Sequence, residues 1–208
     1  MSQVLLPSAC WPDLQYFYYL FKNDEPVIEI NDTYKKQTCR NRYKILSANG
    51  VLVLTVPVKK HANHTKTSEI EISYSEDWQQ RHWRAITSAY RNSPYFEFFE
   101  DELRLFYTAK TDLLYQYNHL QLRTLLRILK VRANITYTTS YQKEIPAEID
   151  KRALLLNKQF SADPSSEVSL CLKTPYYQTF GDKHGFVPNL SILDLLFNEG
   201  LRAKEYLL

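Results

Sequence analysis

The segments Val4-Leu5-Leu6-Pro7-Ser8-Ala9, Pro12-Asp13-Leu14 and Val27-Ile28-Glu29-Ile30 decide the fold. The first is short and apolar, as a buried strand is. Pro12 and Asp13 suit the first turn of a helix carrying Leu14, Phe17, Tyr18 and Phe21, which ends near Asn23-Asp24. Val27–Ile30 makes a second strand. Strand, short helix and strand within about 30 residues form a βαβ-like opening, which favours a parallel pair.

Farther along, Tyr43–Leu46 and Val51–Val58 flank Asn49-Gly50, a strong two-residue hairpin signal. Ile70–Tyr74 alternates and predicts another strand. Helices then take over. Glu76–Arg91 stops before Ser93-Pro94, and Tyr95–Lys110 is helical in part. In Thr111–Val131, Gln116, His119, Arg123, Arg127 and Lys130 share one narrow stripe and leucines fill most of the rest, so that helix is mostly buried. Ile135–Tyr137 predicts a strand, Lys151–Phe160 a helix, Ser161–Glu167 a loop, and Asn189–Glu199 a final helix stopped by Gly200. The expectation is an α/β protein: a single domain over residues 1–208, with a mixed β-sheet (the βαβ-like opening plus a hairpin) packed by several helices.

Composition narrows the function classes. The 208 residues suit one domain, and 44% hydrophobic with 24% charged residues excludes wholesale disorder. No apolar run reaches the roughly 18–20 residues of a transmembrane helix. The four glycines form neither GxGxxG nor GxxxxGK[ST], which removes the common phosphate-cradle loops. A nucleic-acid binder usually carries a stronger basic excess than the net +3 here, so no nucleic-acid partner is expected. Cys10, Cys39 and Cys171 are odd in number and widely spaced, with no CxxC pair. Neither a disulfide framework nor a structural zinc site is expected, and a reducing compartment is. The start lacks a basic region and a long apolar stretch, so it reads as mature protein with a cytoplasmic address.

Candidate functional residues lie where polar groups interrupt apolar arcs. In Glu76–Arg91, His82 and Gln79 fall inside the arc of Trp78, Trp83, Ile86 and Tyr90. His82 is either a satisfied core histidine or a general base, since imidazole titrates near neutral pH. In the last helix Ser191, Asp194 and Asn198 make a polar seam that either faces solvent or aims a carboxylate into a cavity. Lys35, Lys36, Arg40, Arg42 and Lys44 form a cationic run. It is either a solvated loop or, with Arg40 and Arg42 on one strand face, a grip for a phosphate or carboxylate. His61 and His64 lack a third ligand nearby, so no metal is assigned. Cys10, where the first strand gives way to a helix, is a candidate nucleophile or a small buried residue. His184, flanked by Gly181 and Gly185, fits a turn.

Several of these segments resemble the WbqC-like protein family. The resemblance runs through Tyr34-x-Lys36-Gln37-Thr38-x-Arg40-Asn41-Arg42 into Ala48-Asn49-Gly50 and Leu54-Thr55-Val56-Pro57-Val58. It continues through Trp78, Gln79, His82, Trp83 and Ser93-Pro94-Tyr95-Phe96 to Pro188-Asn189-Leu190-Ser191-Ile192-Leu193-Asp194 and on to Gly200. It departs at the start, where relatives look like Gln/His-Pro-x-aromatic-x-Pro and this chain has Ser8-Ala9-Cys10-Trp11-Pro12. The resemblance implies bacterial surface-polysaccharide (O-antigen) biosynthesis, as a transferase adding an acyl or aminoacyl (glycine) group to a nucleotide-linked amino sugar. The alternative is a non-catalytic ligand-binding or assembly protein of that pathway. On the transferase reading His82 or Asp194 takes the amine proton and Asn41 orients the carbonyl oxygen. Lys36, Arg40, Arg42, Gln79 and Asn198 bind the anionic substrate.

Overall fold

The computed structural model describes residues 2–156 and 174–207. The expected loop Ser161–Glu167, the second half of the expected helix Lys151–Phe160 and Cys171 lie outside the described residues. The opening is as the sequence predicts. Strand β1 (Gln3–Pro7), helix α1 (Leu14–Lys22) and strand β2 (Glu25–Glu29) form a βαβ unit, with β1 and β2 parallel from Gln3↔Glu25 to Pro7↔Glu29. Strand β5 (Thr136–Tyr137) adds to the other edge of β2, also in parallel. All three strands therefore end on one side, at Pro7, Glu29 and Tyr137. Asp13 caps α1, its carboxylate accepting from Tyr16 N at 3.0 Å.

Strands β3 (Arg42–Ser47) and β4 (Gly50–Thr55) pair antiparallel in a two-stranded sheet of their own. Parallel and antiparallel pairing are thus divided between two sheets. Ser47 pairs with Gly50, so the turn residues are Ala48 and Asn49, and Gly50 opens β4 at φ 99°, which only glycine adopts without strain. Ile70–Tyr74 is not a strand. Ile70 and Ile72 are buried as its alternation predicts, but the stretch makes only isolated bridges, Val58↔Ile72 and Glu71↔Leu113, after a 3-10 turn at Thr67–Glu69.

Helices α2 (Trp78–Tyr90), α3 (Phe96–Arg104) and α4 (Leu114–Ile128) follow, with a 3-10 turn at Leu105–Tyr107. The polar stripe of α4 faces outward, while Tyr117, Leu122 and Leu125 are buried. Short helices α5 (Arg152–Leu155) and α6 (Gly181–His184) precede α7 (Ile192–Glu199) and α8 (Ala203–Leu207). Ser191 caps α7, which is buried from Ile192 to Asn198. His184 serves a turn: its Nε2 lies 3.1 Å from the Ala48 carbonyl at the hairpin tip. The core gathers around Trp11, Phe17, Trp78, Tyr90, Tyr117 and Phe197. No helix among the described residues is long and apolar enough to cross a membrane.

Gly200 ends α7 at φ 60°, and a Cβ there would sit 2.7 Å from the Tyr95 ring. Gly200→Ala is expected to lower the unfolding free energy by about 2–4 kcal/mol, from left-handed strain plus the clash. Gly185, at φ 72° with nothing within 4 Å of an added Cβ, carries the strain alone. Gly185→Ala should cost about 1 kcal/mol, and urea unfolding of both variants separates the two contributions.

Candidate functional site

Beyond β1 the chain runs Ser8-Ala9-Cys10-Trp11 beneath α4. Cys10 N donates to the Cys39 carbonyl at 2.8 Å, and Trp11 N to Gln121 Oε1 at 2.9 Å. Asn118 Nδ2 donates to Ser8 Oγ at 3.0 Å and to the Arg40 carbonyl at 2.9 Å. These bonds draw the end of β1, the turn before β3 and the buried side of α4 into one close-packed chamber of polar groups, which none of the described cavities opens. Trp11 sits at φ 39°, a left-handed conformation costing a bulky residue about 1–3 kcal/mol. Such strain collects at functional sites.

The polar groups of this chamber are incompletely satisfied. Arg40 is 0% exposed and meets Asp32 through Nη2 alone, while Nε and Nη1 have no protein partner. Asp32 also accepts from Thr67 Oγ1 at 2.7 Å. Asn118 Oδ1 and Asn41 Oδ1 are buried and unpartnered as well, and Trp11 Nε1 and Gln121 Nε2 make no well-formed hydrogen bond, though they lie near the Tyr107 and Tyr117 hydroxyls. Each such group costs about 1–3 kcal/mol, so a cluster of them needs a reason. Donors outnumber acceptors and one group is cationic. That chemistry fits a carboxylate or a polarised carbonyl oxygen.

The remaining expected residues fall in three other settings. Arg40 and Arg42 do not share a strand face, because β3 begins at Arg42 and Arg40 lies in the preceding turn. Arg42 Nε bonds Thr55 Oγ1 at 3.1 Å across the hairpin, and Lys36 is exposed. His82 is 4% exposed, its Nδ1 3.1 Å from Tyr43 Oη, which in turn lies 3.0 Å from Tyr107 Oη. Burial lowers the His82 pKa to about 4, so the ring is neutral at pH 7. Gln79 Nε2 binds the carbonyls of Phe106 (3.2 Å) and Ala109 (2.6 Å), tethering the turn after α3.

Asp194 is 1% exposed and accepts from Tyr176 Oη (2.7 Å), Tyr90 Oη (2.8 Å) and Gln178 Nε2 (3.1 Å). Burial raises its pKa to about 6. Asn198 Nδ2 donates to the Asp194 carbonyl at 2.8 Å and its Oδ1 accepts from Thr179 Oγ1 at 3.0 Å. The seam of α7 thus faces neither solvent nor a described cavity: it clasps Tyr176–Thr179 onto the helix. Cys10 is buried, and burial pushes its thiol far up, so it holds no thiolate and the nucleophile reading fails. The Trp11 ring stacks on that of Tyr107 at 6.3 Å, and through Tyr107 and Tyr43 the His82 group adjoins the chamber.

None of the described cavities is lined by Arg40, His82 or Asp194. A crevice of about 10 Å³, the size of one water, lies where β1, β2 and β5 end. Ser8, Asn118, His119 and Tyr137 line it, and His119 Nδ1 meets Tyr137 Oη. Asn118 and Gln121 escape a reading of α4 by its outer stripe, whereas His119 lies on it. Applied to α4, the rule that singled out His82 finds Asn118 and Gln121, two amides three residues apart in a leucine arc. Trp11 carries no such signal.

A model of the WbqC-like protein family matches residues 8–169. The chain belongs to that family. The matched span holds the whole chamber and His82, and it ends before the Asp194 clasp. This WbqC-like chain is also 31% identical to the uncharacterized protein Rv1507c of Mycobacterium tuberculosis, over 92% of its own length and 91% of the relative's. No solved structure matches it. Among the described residues of the WbqC-like chain, no three His, Cys, Asp or Glu side chains group as a metal site requires.

His82 and Asp194 make opposite contributions to stability against pH. A histidine whose pKa falls from 6.5 to about 4 on folding binds fewer protons in the native state, so its contribution is lost as pH drops from 6.5 to 4. An aspartate raised from 3.8 to about 6 binds more, so its penalty disappears as pH drops from 6 to 4. Each amounts to about 3 kcal/mol, and together they nearly cancel. His82→Gln should therefore gain stability on acidification from pH 6.5 to 4, and Asp194→Asn should lose it. Urea midpoints across this range check both slopes.

Proposed function

We propose that this WbqC-like protein is a transferase of bacterial surface-polysaccharide biosynthesis that adds an acyl or aminoacyl (glycine) group to a nucleotide-linked amino sugar. The observation that carries the reading is the Arg40 guanidinium, fully buried with one carboxylate partner, Asp32, and with Nε and Nη1 unspent. These donors suit the oxygen of the transferred carbonyl, which gains negative charge as the sugar amine attacks. The C–N bond forms, the donor's leaving group departs with its electron pair, and the amine proton passes to a base. His82, neutral at pH 7, receives that proton through Tyr43 and Tyr107, whose hydroxyls connect in series. Asn41, with Oδ1 free, orients the amine. Asp194, saturated by two tyrosines and Gln178, holds α7 in place and does no chemistry.

A second reading rests on that saturation. Because His82 and Asp194 are both bound by tyrosine hydroxyls and Cys10 holds no thiolate, a non-catalytic ligand-binding protein of the same pathway also accounts for the chamber.

Incubation of the protein with an activated acyl or glycyl donor and a nucleoside-diphosphate amino sugar, followed by mass spectrometry of the sugar, separates the readings. The transferase reading expects one acyl or glycyl group gained per sugar. It also expects turnover reduced about 100-fold in Arg40→Lys, since an ammonium cannot reproduce the guanidinium fork. Saturable binding of the same sugar by wild type with no mass gain from any donor leaves the binding reading.

A further inference from the structure

A groove of about 980 Å³ runs along the outer side of α4, at the upper end of the usual ligand-site range of about 300–1,000 Å³. Its second wall is Val131–Ile135, which doubles back because Lys130 leaves the helix at φ 55°, a conformation glycine or asparagine usually supplies. Arg123 and Arg127 enter the groove from α4, and Arg132 enters from the facing wall. Arg123 and Arg127 are four residues apart, so their charges repel on one helix face. Glu102 neutralises Arg127, whereas no ion pair involves Arg123 or Arg132 among the described residues. The carboxylate of Asp24, also on the wall, is taken by the Ser2 amide at 3.0 Å.

The rest of the lining is mixed, with Thr124 and Asn134 polar and Leu120, Val131 and Ile135 apolar. Leu120 is 47% exposed, and Ile135 lies on the opposite wall. Two unspent guanidinium groups beside an apolar strip match a ligand carrying phosphates next to a flat ring. The groove begins at His119, which also lines the crevice at the ends of β1, β2 and β5. In open parallel sheets that end is where ligands bind.

We propose that this groove binds a nucleoside diphosphate, free or linked to a further group, with Arg123 and Arg132 gripping its phosphates and Leu120 and Ile135 flanking its base. His119 stands between the bound phosphates and the sheet-end crevice. The ligand class rests on the transferase reading above; occupancy of the groove requires no chemistry.

Calorimetric titration of the full chain with UDP, and separately with inorganic pyrophosphate, tests the site. One UDP is expected per chain, with shifts of the His119 ring signals in NMR spectra. Arg123→Ala and Arg132→Ala should each weaken both ligands roughly ten-fold or more. Leu120→Ser should weaken UDP and leave pyrophosphate unchanged, and Arg84→Ala, an exposed arginine outside the groove, should change neither. All the substituted side chains are exposed, so the fold survives. Absence of saturable binding, a Kd indifferent to Arg123 and Arg132, or tighter binding of a single-stranded oligonucleotide through the same arginines would overturn the proposal. UDP binding through these arginines without transfer keeps the groove and removes the transferase. Transfer that is indifferent to them does the reverse.

Discussion

One side-chain amide holds the candidate site together. Asn118 spends both protons of its Nδ2, one on Ser8 Oγ and one on the Arg40 carbonyl, and so joins segments 110 and 78 residues away in sequence. Among the described residues it is the one side chain that bonds both the end of β1 and the turn that carries Arg40 from the inner side of α4, beside the direct bond of Cys10 N to the Cys39 carbonyl. Gln121, one turn along the same helix, repeats the device on Trp11 N. Two amides on adjacent turns thus fix where the first strand of the parallel sheet releases the chain, and they hold Trp11 at its strained φ.

The buried charges divide by what surrounds them. Glu29, at the end of β2, accepts from Arg152 Nη1 at 3.0 Å and Thr138 Oγ1 at 2.7 Å, and Arg152 also holds Asp150 at 2.8 Å. Asp194 has three donors. Glu29 is met by a cation, and the Asp194 oxygens are occupied by three neutral donors that only partly offset burial. Such groups lock a structure and have nothing left to offer a substrate. Arg40 differs, because its guanidinium keeps two N–H groups beyond its single carboxylate partner.

Much of the fold was legible in the sequence. The βαβ opening, the hairpin, the three central helices and the stop at Gly200 all follow from local patterns, and local patterns are what single segments encode. What was lost concerns partnership. Ile70–Tyr74 alternates correctly, yet a strand needs a neighbour running beside it for several residues, and no periodicity reveals that. The candidate site was legible only in its cations and its inward polar groups. Alternation placed Arg40 and Arg42 together because it assumed a strand where the chain turns. Asp194 drew attention because it faces inward, but an inward carboxylate and a catalytic one look alike until the hydroxyls of Tyr90 and Tyr176 are seen meeting it.

That difference gives a general criterion for this architecture. A polar residue on an apolar arc signals only that something must bond it, and most often the protein itself does so, as for His82, Asp194 and Asn198. The informative groups are those that remain unpartnered after every neighbour has been counted. Here Arg40, Trp11, Gln121, Asn118 and Asn41 belong to the segments joined at the end of one strand, while Tyr34, His61, Trp78 and Thr87 carry single unpartnered atoms outside them. The cost of several unmet groups, at about 1–3 kcal/mol each, is comparable to the whole stability of a domain this size, about 5–15 kcal/mol. A fold that keeps several of them on segments joined at one strand end, with Trp11 strained beside them, leaves polar groups that water or a ligand can complete.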